Sequence, residues 1–76
     1  MERDLTLDTL GLYCPMPIIK ASQEIFNIEV GQVLEVIADD EGIKKDMPDW
    51  CRNTGHEFLG IEEEDDEIRV YVRRTI

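Results

Sequence analysis

The chain reads as an α+β fold, a two-layer α/β sandwich in the order βαβαββ with a four-stranded mixed sheet and two helices on one face. Three observations predict it. Short segments near each end alternate apolar and polar residues, the period of a half-buried strand. Two stretches between them open at prolines or acids and carry apolar residues at helical spacing. A third, Val33 to Ala38, is apolar enough for a central buried strand.

Residues 4 to 9 place Leu5 and Leu7 on one side of the first strand. Gly11 permits a sharp turn after it. Pro15 and Pro17 mark a helix start, because proline's missing N–H would have no partner in the first turn. From Pro15 to about Asn27, Ile18, Ile19, Ile25 and Phe26 recur at helical spacing, with Lys20, Gln23 and Glu24 toward the other side. Gly31 ends the connection to the strand Val33 to Ala38. A strand–helix–strand unit of this length is a right-handed crossover, so the first two strands run parallel.

Asp39-Asp40-Glu41-Gly42 is an acidic turn, read as N-capping and dipole complementation in preference to metal binding. Asp46-Met47-Pro48-Asp49 reads as a restart of the second helix, with Asp46 as cap and Pro48 in its first turn. Gly55 reads as its C-terminal stop. Phe58, Leu59 and Ile61 form a third strand. The six acids Glu62 to Glu67 read as a solvated hairpin turn. Ile68, Val70 and Val72 alternate with Arg69, Tyr71 and Arg73 in the last strand.

Cys14 falls at the corner between first strand and first helix, at or next to the N-cap. Free backbone N–H groups and the positive end of the helix dipole there favour a thiolate, which makes Cys14 a candidate reactive sulfur. Position alone equally suits a small buried hydrophobe beside a turn.

Leu10-Gly11-Leu12-Tyr13-Cys14-Pro15-Met16-Pro17 resembles the Cys-Pro-x-Pro signature of the TusA/SirA-like sulfur-carrier family. Val30-Gly31-Gln32-Val33-Leu34-Glu35-Val36-Ile37-Ala38-Asp39-Asp40 resembles that family's second strand and following turn. Asp46-Met47-Pro48-Asp49-Trp50-Cys51 with Gly55-His56-Glu57 resembles its second helix. The likeness spans nearly the whole chain. It implies the same architecture, a sulfur carried as a persulfide on Cys14, support of the motif by Gly11, Pro15 and Pro17, and no cofactor. It also implies two protein partners, a donor such as a cysteine desulfurase and an acceptor thiol. Tyr13 stands where the family's namesake carries arginine, a difference that bears on partner choice.

Sulfur exchange needs an accessible cysteine of lowered pKa and a good leaving thiol, without an oxyanion hole. No histidine neighbours Cys14 in sequence, and His56 is read as a terminal or strand-edge residue without a catalytic role. Cys51, inside the second helix beside Trp50, is read as core, with an accessory sulfur role as the lesser reading. Cys14, Cys51 and His56 lack the close ligand pairs of structural zinc, and the acidic run lacks the spacing of a calcium loop. Trp50 reads as packing and Tyr13 as a candidate partner contact. Lys44 and Lys45 are a solvated helix face, or a local positive spot toward an acidic partner or a Cys14 persulfide.

Seventy-six residues are read as one domain, 1–76, with 42% apolar content suited to a small core. The formal net charge of −10 repels phosphate backbones and steers the chain toward basic patches on proteins. No apolar run suits a membrane span and no signal pattern opens the chain, so a cytoplasmic location with reduced thiols is expected. A carrier that meets two partners in turn is most simply a monomer. Two rival readings remain: a non-catalytic adaptor for which Cys14 is incidental, and a thiol–disulfide switch between Cys14 and Cys51.

Overall fold

In the computed structural model, which describes residues 1–76, the elements are β1 (Leu5–Asp8), α1 (Met16–Glu24), a 3₁₀ turn (Ile25–Asn27), β2 (Val33–Ala38), α2 (Ile43–Thr54), β3 (Glu57–Glu64) and β4 (Glu67–Arg73). The predicted α+β order and mixed sheet are present. The strands lie in the order β1-β2-β4-β3, with β1 parallel to β2 and both hairpin strands antiparallel to their neighbours.

Alternation decides which side chains face the helices. In β2, Leu34, Val36 and Ala38 point inward, and in β4 Ile68, Val70 and Val72 do so. The helices answer with residues four apart: Ala21 and Ile25 from the first helical segment, and Ile43, Met47 and Cys51 from α2. All join one buried cluster, so both helices cover the same face.

Each helix departs from its expected form. The first runs helical only to Glu24 and tightens into the 3₁₀ turn, a common way to finish a helix. Its core stripe is Pro17, Ala21 and Ile25, while Ile19 and Phe26 stay exposed. The Phe26 ring is covered instead by the Arg74 guanidinium, 4.9 Å from its centroid. In α2 there is no restart at Asp46. The helix begins at Ile43, directly after Gly42, and continues through Pro48. Burial of Ile43 and Met47 on either side of Asp46 fixes one continuous helix, and Pro48 costs one ladder donor inside it. Gly55 ends it in the left-handed region (φ 93°), its N–H donating to the Cys51 carbonyl.

The acidic run is mostly strand. Only Asp65 and Asp66, both at positive φ, form the two-residue turn, and the acids on either side pair across the hairpin. A bulge between Phe58 and Gly60 lets Phe58 and Ile61 both face the core despite their odd spacing.

The sheet's outer face holds a buried polar network instead of an open surface. Glu35 and Tyr71 are buried there. The Tyr71 hydroxyl lies 2.6 Å from Glu35 Oε2 and 3.0 Å from Glu62 Oε1, and Thr6 Oγ1 donates to Glu35 Oε1. Burial alone would raise the Glu35 pKa, but donation from Tyr71 and Thr6 with nearby Arg3 holds it below the usual carboxylate range. A carboxyl depressed in the folded state stabilises above its unfolded pKa and loses that contribution as pH falls through the folded one. Tyr71→Phe should therefore cost about 2 kcal/mol at neutral pH. The deficit should shrink as pH is lowered from neutral through and below the ordinary carboxylate range, as followed by urea midpoints along that series.

Candidate functional site

Cys14 sits where the turn after β1 meets the starts of both helices. Three anchors place that turn. Thr9 is buried and bonds the Ile37 carbonyl through both N–H and hydroxyl, the latter at 2.7 Å. Gly11 takes a positive φ (81°) that side chains disfavour, and its N–H reaches both Asp39 oxygens at 3.1 Å. The Cys14 N–H donates to Asp40 Oδ2 at 2.7 Å, while Asp40 Oδ1 accepts from Gly42 N–H at 3.0 Å. One carboxylate thus ties the cysteine backbone to the start of α2. These two donors also hold the Asp40 pKa below its ordinary value.

The thiol is partly exposed and unbridged, and the Cys14–Pro15 peptide is cis. It packs against Gly42: a Cβ there would come 3.1 Å from Sγ. Desolvation, a hydrogen bond to Asp46 and the charges of Asp40 and Asp46 push the Cys14 pKa up from 9.0 to about 12. The expected thiolate at the helix start is thereby corrected. Pro15 and Pro17 have no N–H to offer, the Met16 N–H is taken by the Tyr13 carbonyl at 2.8 Å, and the Ile18 N–H by the Pro15 carbonyl at 3.0 Å. The prolines that mark the helix also strip it of the donors a thiolate would use.

Other candidates fall elsewhere. Lys44 pairs with Glu41 and Glu63, and Lys45 with Asp49 at 3.2 Å, so both positive charges are matched within the chain. Neither is among the groups acting on the Cys14 thiol; those are carboxylates. Cys51 is in the core, where burial pushes its thiol up to about 11. It lies nine residues beyond Gly42, roughly 13 Å along the helix, so a bridge to Cys14 would require backbone movement. His56 is buried beside Trp50, its ring 5.4 Å away, and its Nδ1 accepts from Thr75 N–H. Burial and then nearby Arg74 hold its pKa down. Tyr13 is 79% exposed, and Leu10, Met16 and Ile19 on the same corner are also exposed. Asp40, Gly42 and Asp46 were not singled out for the site by sequence. The acidic turn read as helix capping was the only hint, and it becomes a site feature once the fold folds α2's start onto Cys14.

A part-exposed cysteine at a Cys-Pro-x-Pro corner, on a four-stranded mixed sheet with two covering helices, defines a small α+β thiol protein. The chain belongs to the TusA/SirA-like family: residues 5–74 match the family profile described as "Sulfurtransferase TusA". YrkF of Bacillus subtilis (strain 168), provisionally named a sulfur carrier protein, is 40% identical over 74 residues. That covers 97% of this chain but only 40% of YrkF, so the chain spans two fifths of that relative. YrkI of the same organism, named likewise, is 38% identical over 97% of this chain and 99% of its own. A protein of Archaeoglobus fulgidus with the same provisional name is 36% identical over 92% and 96%. The crystal structure of a SirA-like protein from Desulfitobacterium hafniense superposes with a TM-score of 0.81 at 24% identity, covering 96% of this chain and 100% of that one, and shares its fold.

Gly42 has a helical φ that alanine adopts without strain. Gly42→Ala should therefore fold with a Tm near the parent's while Cys14 alkylates several-fold more slowly, because the new methyl crowds Sγ. Cys51→Ala should lower stability by about 1 kcal/mol in urea and leave the Cys14 alkylation rate unchanged.

Proposed function

We propose that this protein is a sulfur carrier that accepts sulfane sulfur on Cys14 from a donor persulfide, such as a cysteine desulfurase presents, and passes it to an acceptor protein thiol. The observation that carries the reading is a free, part-exposed thiol at the corner of a TusA-family domain. Exposed Leu10, Tyr13, Met16 and Ile19 on that corner offer an apolar docking spot. Gly11, Pro15 and Pro17 shape the corner, and Tyr13 makes the most exposed contact.

In the transfer, Cys14 sulfur attacks the terminal sulfur of the donor R–S–SH. A new S–S bond forms at Cys14 as the donor's S–S bond breaks. The electron pair leaves on the donor thiolate, which takes up the proton given up by Cys14. The balance is R–SSH plus Cys14–SH to R–SH plus Cys14–SSH, with no external oxidant or reductant. Passing the sulfur on repeats the step with Cys14 as leaving group, so the protein acts as a sulfurtransferase between partners.

No helix of the fold is long and apolar enough to cross a membrane. A reducing compartment such as the cytoplasm suits a carrier that depends on a free thiol, and a monomer is the simplest form that can meet two partners in turn. An adaptor would keep its cellular function in Cys14→Ser, whereas a carrier would lose it. Incubation with a persulfide donor should add about 32 Da per transferred sulfur to the intact mass, and Cys14→Ser should abolish the gain. A gain that persists in Cys14→Ser, or none in the parent, would overturn the proposal.

A further inference from the structure

The carrier reading leaves one conflict. A sulfur-transfer nucleophile must ionise, yet the groups gathered around Cys14 oppose it. From the turn before α2 comes Asp40, fixed by N–H donors from both Cys14 and Gly42. From the first turn of α2 comes Asp46, one helical turn beyond the Gly42 against which the thiol packs, its N–H donating to the Gly42 carbonyl at 3.0 Å. Lys20 on the first helix is not among the groups acting on the thiol, and Lys44 and Lys45 in the first turn of α2 are held by Glu41, Glu63 and Asp49. Asp39, directly after β2, is engaged with the Gly11 N–H of the turn after β1.

Resting on the carrier reading, we propose that Asp40 and Asp46 clamp Cys14 as a neutral thiol in the free protein, and that a cationic side chain on the docking donor releases it. Both carboxylates lie beside the sulfur, Asp40 on the same side of Gly42 and Asp46 one turn on, so either makes the anion costlier than the thiol. A positive group arriving from outside reverses that sign. It neutralises the pair, lowers the cost of the thiolate and lets the proton leave for the departing donor thiolate. Asp40 and Asp46 are positioning residues here. Their role is to withhold reactivity until a partner with a Lys or Arg beside its own persulfide is seated. The chain's net charge of −10 draws such a partner in, and the clamp reads the charge locally.

Alkylation by iodoacetamide, which consumes only the thiolate, tests the clamp without any sulfur donor. One pKa unit gives tenfold more thiolate, partly offset by weaker nucleophilicity, a net gain of about threefold per unit. Asp46→Asn should therefore react at least about threefold faster than the parent at neutral pH, and Asp40→Asn faster as well. Glu29→Gln removes the same charge from an exposed position between the end of the 3₁₀ turn and the start of β2, at the opposite end of α1 and β2 from Cys14, and should match the parent. The donor's charge is probed with two disulfides, cationic cystamine and anionic dithiodiglycolate. Cystamine's rate advantage should be largest in the parent and in Glu29→Gln, and fall at least about threefold in Asp46→Asn.

Equal alkylation rates in the parent and Asp46→Asn, or an undiminished cystamine advantage, overturn the clamp. Asp46→Asn carries the test even if Asp40→Asn loses its backbone tie and unfolds. A normal alkylation shift without any sulfur gain in the intact-mass experiment would instead remove the carrier reading and leave the clamp standing.

Discussion

The site depends on one carboxylate that holds two chain segments together. Asp40 accepts from Cys14 N–H with one oxygen and from Gly42 N–H with the other. The residues are 26 positions apart for the first contact and only two for the second. Without that tie, the turn after β1 and the start of α2 would be separate surface features. With it, they become two sides of one thiol pocket. The same contacts explain why a methyl at Gly42 would press on the Cys14 sulfur and why that sulfur sits among acids.

Local chemistry and tertiary placement pull in opposite directions at Cys14. A helix N-terminus favours an anion when its amides are free. Here two of the first residues are prolines and the remaining amides close local turns. The dipole keeps only its weak, long-range part. Two nearby carboxylates and partial desolvation then decide the outcome, and the thiol stays protonated.

Much of the fold was legible because alternation and helical spacing report directly on burial. Leu34, Val36, Val70 and Val72 face the core as their period dictates. The sequence also showed the Gly55 stop and the cysteine corner. It misled where one signal served two ends. Pro48 looked like a helix start but lies inside α2, because the flanking core residues Ile43 and Met47 outweigh one lost donor. Six successive acids looked like a loop, yet strand pairing extends through most of them and only Asp65 and Asp66 turn. At the site, Cys14 was visible from its neighbours, while Asp40, Gly42 and Asp46 were not. Their part arises from contacts across 26 or more positions, which periodicity does not encode.

The two border strands of the sheet show how such a small sheet protein can remain dispersed. The first is four residues long, and the other carries Glu57, Glu62, Glu63 and Glu64 along with the bulge near Gly60. A foreign strand seeking to extend either border meets too little backbone on one side and a kinked line of negative charge on the other. Neither border therefore offers an open seam along which copies of the chain could stack edge to edge.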